Sequence, residues 1–179
     1  MTDLNGKKVL VLAGPDFEDA ELIYPKIRMI EAGADVKVAG LGEKTYKGKH
    51  GYPVSVDMHV QDAVDQRWDV VVVPGGWAPD KIRMSKAALS VVQATLKHGG
   101  VVSAICHGGW VLASADVIRG KKVTSYIAIK DDMVNAGGHW VDEAVVVDSN
   151  IVTSRTPDDL PQFCQAIIQL ASRQAAAVS

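Results

Sequence analysis

Cys106 is followed by His107 and Gly108-Gly109, and it stands where the apolar run Val101–Ile105 stops. A thiol at that point can act as a nucleophile. Ala104, Cys106 and Gly108 take the positions of a small-x-nucleophile-x-Gly turn, which tips one side chain out of a sheet at the start of a helix. The unpaired N–H groups and the dipole there favour an anion, which predicts a thiol pKa below the usual value of about 8.5. The competing reading is a buried structural cysteine after a strand. A histidine beside it and two glycines after it argue against that.

Other residues can assist. Glu18 follows the first apolar run and is the candidate acid or base to face the Cys106 sulfur. Alternatively, Glu18 and Asp19 are first-turn acids complementing a helix dipole. His107 can exchange protons with the thiol, although adjacent residues on a turn often point apart. Asp80 is a candidate carboxylate for His107, or else an exposed acid at a helix start. Gly75 and Gly76 let backbone N–H groups approach a ligand, and with the N–H of His107 they can cradle an oxyanion. Read alone, Gly75-Gly76 would be a tight turn. Gly108 completes the set of expected substrate-binding positions.

His50, His59, His98 and His139 lack metal-ligand spacing, so no zinc site is expected. No Gly-x-Gly-x-x-Gly follows the first strand and no phosphate-binding loop occurs, so neither a dinucleotide nor any other cofactor is expected. Cys164 falls with Phe163, Ile167 and Ile168 on the inner face of the last helix and reads as core.

The elements that must position these residues alternate. Lys8–Ala13, Asp35–Ala39, Val70–Val73 and Val101–Ile105 read as strands, the apolar ones buried on both faces. Helical spacing runs over Asp16–Ala32, with Leu22, Ile23, Ile27, Met29 and Ile30 as its apolar positions and Pro25 as a kink or restart. Ser85 caps a helix to Lys97, and Trp110–Ala115 follows the elbow. Segments 43–47 and 54–57 suggest a hairpin. Lys122–Ser125 reads as a strand and Ile127–Ala136 as a helix. Ala144–Asp148 and Ile151–Ser154 form a second hairpin, and Thr156-Pro157 opens a last helix to about Ala175. The pattern predicts an α/β fold, a three-layer sandwich with a mostly parallel central sheet. The site then lies beyond the carboxyl ends of the strands.

A chain of 179 residues, 47% apolar, 22% charged and with a formal net charge of −2 fits one globular domain over 1–179. Residues 1–6 and 176–179 are expected to fray. The charge recommends neither a nucleic-acid nor an anionic-membrane partner, and no apolar stretch reaches the ~20 residues of a membrane span. Two distant cysteines and a polar N-terminus suggest a reducing, cytoplasmic location.

Several segments, in order and without large gaps, resemble the PfpI-type intracellular peptidases of the ThiJ/PfpI superfamily. They are Phe17-Glu18-Asp19 with Glu21-Leu22-Ile23-Tyr24-Pro25, Gly48-Lys49-His50-Gly51-Tyr52, Pro74-Gly75-Gly76 with Ala78-Pro79-Asp80, Ala104-Ile105-Cys106-His107-Gly108, Lys130-Asp131-Asp132-Met133, and Trp140-Val141-Asp142. Ser154-Arg155 with Pro157-Asp158-Asp159-Leu160 extends the likeness, which covers Lys8 to about Leu170. It implies a flavodoxin-like sandwich of the class I glutamine amidotransferase type, a reactive Cys106 and Glu18 hydrogen-bonded to its sulfur. It also implies His107 meeting an acid from a neighbouring subunit, in dimers or hexamers with the site near the interface. That acid is commonly Glu, whereas this chain has Asp80; the turn often continues with Pro, whereas this chain has Gly109.

The resemblance implies three activities. One is cofactor-free glyoxalase or deglycase chemistry on small aldehydes or glycation adducts, as in stress protection. A second is a cysteine peptidase acting on peptides. The third is a redox sensor or chaperone in which Cys106 oxidises. A small sheltered cleft favours the small aldehyde.

Overall fold

The computed structural model describes residues 3–176, with side chains described through Gln174. The chain opens with β1 (Lys8–Leu12), α1 (Asp19–Glu31) and β2 (Asp35–Gly40), then a small antiparallel hairpin of β3 (Thr45–Lys47) and β4 (Pro53–Ser55). β5 (Met58–His59) and the single turn α2 (Val60–Ala63) lead to β6 (Val70–Val73), the short α3 (Ala78–Ile82) and α4 (Lys86–Lys97). β7 (Val101–Ile105) ends in the elbow and α5 (Gly109–Ser114). β8 (Lys122–Val123), α6 (Lys130–Asn135) and β9 (His139–Trp140) precede β10 (Val145–Asp148), β11 (Ile151–Ser154) and α7 (Leu160–Ala176).

One seven-stranded sheet runs in the order β10-β11-β7-β6-β1-β2-β5. Only β10 is antiparallel to its neighbour. The expected α/β sandwich with a mostly parallel sheet is therefore what the chain forms. β6 reads Val70-Val71-Val72-Val73 and is buried at every position. Each buried valine contributes about 1.5 kcal/mol or more, so such a strand is stable only in the middle of a covered sheet. The chain leaves β1 toward β2 on one side and later returns to β6 on the other. The carboxyl ends of β1 and β6 thus flank a topological switch point, where open α/β sheets bind ligands.

Several local expectations need correction. The first helix starts at Asp19, not Asp16, because Asp16 takes a φ of 56° and Phe17 bridges to Gly76 instead. Pro25 lies within a continuous α1. The core face of α1 is Leu22, Pro25 and Met29 together with Glu21, which turns Ile27 and Ile30 outward. Residues 3–6 are held: Leu4 is fully buried and its N–H donates to the Ala32 carbonyl at 2.7 Å. Ala176 closes α7, and residues 177–179 lie outside those described. Lys122-Val123 does not join the main sheet; it pairs in parallel with His139-Trp140. Thr156 makes no side-chain cap, and the job of fixing that corner passes to Asp159, which accepts both the N–H and the guanidinium of Arg155. Ser85 does cap α4, accepting the Ala88 N–H at 3.2 Å. No helix among the described residues is long and apolar enough to cross a membrane.

Candidate active site

β7 delivers Cys106 at the end of the buried run Val101–Ile105, and the chain turns there through a 3-10 segment, Cys106–Gly108, into α5. Cys106 adopts a φ of 60°, in the left-handed region, where a residue with a Cβ carries strain of order 1–3 kcal/mol. That conformation is what swings the side chain off the strand direction into the crevice. Gly108 permits the turn. A Cβ there would run into the Val73 carbonyl oxygen and come within 3.3 Å of that of Pro74. Gly108 therefore serves close packing of the elbow on β6.

The residue beside the sulfur is Glu21, not Glu18. Glu21 is fully buried on the core face of α1. Its Oε1 accepts the Gly75 N–H at 2.9 Å, and its Oε2 has no hydrogen-bond partner among the described residues. Gly75 is the spacer between acid and thiol: a Cβ on it would strike Glu21 Oε1 and stand 2.9 Å from the Cys106 Cβ. Burial, reinforced by the charge of Glu18, raises Glu21 to about 8. At neutral pH the carboxyl keeps its proton and can offer it to the sulfur. Because the Gly75 N–H is already spent on Glu21, Gly75 cannot donate to an oxyanion.

The Gly76 N–H remains available, and it and the N–H of His107 both point at the thiol and pull its pKa down. Burial, then the negative charge of an ionised Glu21, push Cys106 up to about 12. The second push lapses while Glu21 is protonated. The direction is upward all the same, because desolvation outweighs what a three-residue turn and a six-residue helix supply. The expected low thiol pKa is corrected accordingly: the resting side chain is a thiol, which can act as a nucleophile only after giving up its proton.

His107 is placed to take it. Its Nδ1 lies 3.4 Å from Cys106 Sγ, so these neighbours converge. The imidazole packs among Trp77, Trp110 and Tyr126, with ring centres 5.1–5.3 Å away. That burial, with the charge of Lys49, lowers its pKa from the ordinary imidazole value and favours the neutral ring, which can accept a proton. Asp80 is exposed, paired with Lys81 Nζ at 3.2 Å, and shares no hydrogen bond with His107 within the chain.

Glu18 stands at the mouth of the same cleft. Its carboxylate meets Lys49 Nζ at 3.2 Å and His50 Nε2 at 3.4 Å. The 48–52 loop that carries both is moored by Asp19, whose carboxylate accepts the N–H groups of His50 and Tyr52 at 2.9 Å each. Glu18, Asp19 and His50 thus bring ligand-type atoms within 4.8 Å of one another, a juxtaposition that histidine spacing could not reveal. Those atoms already serve Lys49 and the loop backbone. The cleft, of about 270 Å³, is completed by Trp77, Tyr126, Thr156 and Pro157 around Cys106 and His107. Arg155 fixes the Thr156 corner through Asp159 and Asp142.

Sequence reasoning missed Glu21, Lys49, Trp77 and Tyr126. The signal for Glu21 was present: a glutamate in phase with Leu22, Pro25 and Met29 lies on the buried stripe of an amphipathic helix, where an acid needs a reason. Lys49, Trp77 and Tyr126 come from separate loops and had no such signal.

Known proteins resemble this chain in sequence and in fold. Residues 7–170 match the DJ-1/PfpI family. A protein of Pyrococcus horikoshii named as a deglycase is 46% identical over 163 residues, covering 91% of this chain and 98% of its own. Deglycase PfpI of Pyrococcus furiosus is 43% identical over the same length, again covering 91% of this chain and 98% of its own. Among solved structures, Drosophila melanogaster DJ-1beta superposes with a TM-score of 0.87 at 32% identity, over 94% of this chain and 92% of its own. A two-domain protein of Anabaena variabilis with DJ-1/ThiJ/PfpI-like and ferritin-like domains gives a TM-score of 0.87 at 44% identity; 91% of this chain matches 47% of that one.

Proposed function

The chain belongs to the DJ-1/PfpI family, and from that premise we propose that it is a cysteine-dependent enzyme acting on small reactive aldehydes or their glycation adducts, of the cofactor-free glyoxalase or deglycase type. One observation carries the reading: a buried, protonated Glu21 and a neutral His107 flank the same thiol. Two proton carriers on one nucleophile suit a reaction that must move a proton between adjacent carbons, beyond simple acyl transfer.

With methylglyoxal the steps balance as follows. His107 Nδ1 takes the thiol proton, and the sulfur bonds to the aldehyde carbon. The oxygen formed there lies toward the N–H groups of Gly76 and His107 and takes the proton of Glu21. The Glu21 carboxylate then removes the hydrogen from the former aldehyde carbon, while the imidazolium protonates the ketone oxygen, leaving an enediol. Return of the proton from Glu21 to the second carbon, with loss of the first hydroxyl proton back to the carboxylate, gives a thioester. Water cleaves it to lactate and the free thiol. With a glycation adduct, the amine or guanidine leaves before or as the sulfur bonds.

We assign Asp80 to a neighbouring subunit's His107 in a homo-oligomer, dimer or hexamer, since it is exposed and pairs in its own chain with the equally exposed Lys81, not with His107. A reducing, cytoplasmic setting suits a mechanism that depends on a free thiol. The test is a parallel assay of methylglyoxal, a methylglyoxal adduct of an amino acid and a chromogenic peptide, with wild type and Cys106→Ala. Carbonyl turnover lost in Cys106→Ala supports the reading. Turnover of the peptide alone would replace it with the peptidase, and stoichiometric oxidation without turnover would replace it with the sensor.

A further inference from the structure

Building on the adduct reading, we propose that Glu18 and the indole face of Trp77 form a subsite for the cationic part of an adduct, a lysine ammonium or arginine guanidinium, which Lys49 occupies in the resting protein. Lys49 Nζ is 3.2 Å from Glu18 Oε2 and 5.7 Å from the centre of the Trp77 ring. All three residues line the cleft that holds Cys106. A carboxylate set beside an aromatic face is the pairing that holds alkylammonium and guanidinium groups.

The subsite is rigid where it must be, and its occupant is not. The Glu18 N–H donates to the Gly75 carbonyl at 3.1 Å, and His50 takes the other carboxylate oxygen, so Oε2 is fixed toward Lys49. The loop backbone is tied by Asp19 and by the Lys49 N–H on the Phe17 carbonyl at 2.9 Å. The Lys49 stem has four rotatable bonds, and its side chain is about a third exposed. It can swing into solvent without disturbing the loop. The second acid of the cleft does not compete for a cation, because Glu21 is tied to Gly75 and protonated at neutral pH. Aldehydes add to amines and guanidines, so an adduct whose carbonyl carbon reaches Cys106 carries a cation-forming group on the adjoining atoms. Replacing Lys49 by that group exchanges one cation for another, and no charge is left unpaired.

The experiment compares early methylglyoxal adducts of Nα-acetylarginine amide and N-acetylcysteine amide, which differ in the cationic side. The readout is the ratio of their kcat/KM values in wild type, Lys49→Met and Glu18→Gln. Lys49→Met should raise the arginine-over-cysteine ratio about fivefold and Glu18→Gln should lower it about fivefold, the scale of a partly exposed ion pair. Ratios equal to wild type in both variants would overturn the proposal. A binding measurement separates this from the enzymatic reading. Unmodified Nα-acetylarginine amide is titrated into Cys106→Ala protein and followed by tryptophan fluorescence, with Lys49→Met expected to tighten binding and Glu18→Gln to weaken it. Saturable binding that follows this order in the Cys106→Ala background, together with a wild-type protein that turns over neither adduct, would sink the enzymatic reading and leave the subsite standing. Absence of saturable binding in Cys106→Ala and in Cys106→Ala/Lys49→Met would sink the subsite.

Discussion

The Glu21 carboxyl is clamped by the Gly75 N–H at 2.9 Å, and this single bond does two things at once. It removes Gly75 from the set of free donors and turns the unpartnered Oε2 of Glu21 into the only unassigned polar atom of that buried side chain. The acid of the site is therefore set by α1 and the β6 turn together.

The raised pKa of Glu21 has a measurable thermodynamic consequence. Its folded value is about 8 against 4.5 unperturbed, so between these limits the native state holds a proton that the unfolded state has lost. Stability due to this group is fully present below 4.5, declines as pH rises and is lost through 8, with a slope of about 1.4 kcal/mol per pH unit. Glu21→Gln removes that slope. Urea unfolding at pH 5, 6.5 and 8 should show wild type losing stability relative to Glu21→Gln across the series. Parallel profiles would mean that Glu21 is ionised in the native protein.

The elbow predicts a trade between strain and function. Cys106→Gly and Cys106→Ala both remove the thiol, but only glycine relaxes a φ of 60°. Cys106→Gly should exceed Cys106→Ala in stability by about 1 kcal/mol in chemical denaturation, with neither turning over carbonyl substrate. Equal stabilities would deny strain at this position.

Thiol labelling should separate the two cysteines. Cys164 is fully buried, and burial pushes it up to about 12; Cys106 is partly exposed in the cleft. Iodoacetamide under native conditions should modify Cys106 alone, as read by intact mass and peptide mapping, and unfolding should release Cys164. Early labelling of Cys164 would contradict the described packing.

Gly109 stands where relatives of the resembled family often carry Pro, and its φ of −55° would accept one. A Cβ there would meet Met133 Cε and Sδ at 2.8 Å, however, and Met133 is fully buried. Gly109→Pro alone should destabilise the protein by about 1–3 kcal/mol through overpacking. Combined with Met133→Val it should cost less than the sum of the single changes, a coupling that a double-mutant cycle measures. Strict additivity would show that Met133 is not the obstacle.

Activity should depend on assembly if Asp80 serves a neighbour's His107. Specific activity should fall as dilution drives the protein to monomer in sedimentation, and Asp80→Ala should lower it about tenfold at any concentration, the low end of an orienting group's effect. Full activity in the monomer would remove Asp80 from the site.

The strands were legible because a covered parallel strand must be apolar on both faces, which leaves a run such as Val70–Val73 no other place. The elbow was legible too, since Ala104-Ile105-Cys106-His107-Gly108 contains its own geometry: a strand end, a thiol turned off the strand and a residue small enough to pack on Val73. Choosing between Glu18 and Glu21 was a different matter. The two are one helical turn apart, and only the docking of α1 on the sheet decides which carboxyl is sealed beside the sulfur and which faces Lys49 at the mouth. The same holds for the thiol pKa. A local argument from the helix start predicts a lowering, whereas burial depends on everything packed around the crevice and reverses the sign. What a few consecutive residues enforce was determined by the sequence alone. What depends on distant segments closing over one another, the charge state of the acid, the aromatic surroundings of the histidine and the walls of the cleft, was decided by the tertiary structure, because desolvation and side-chain contact have no local code.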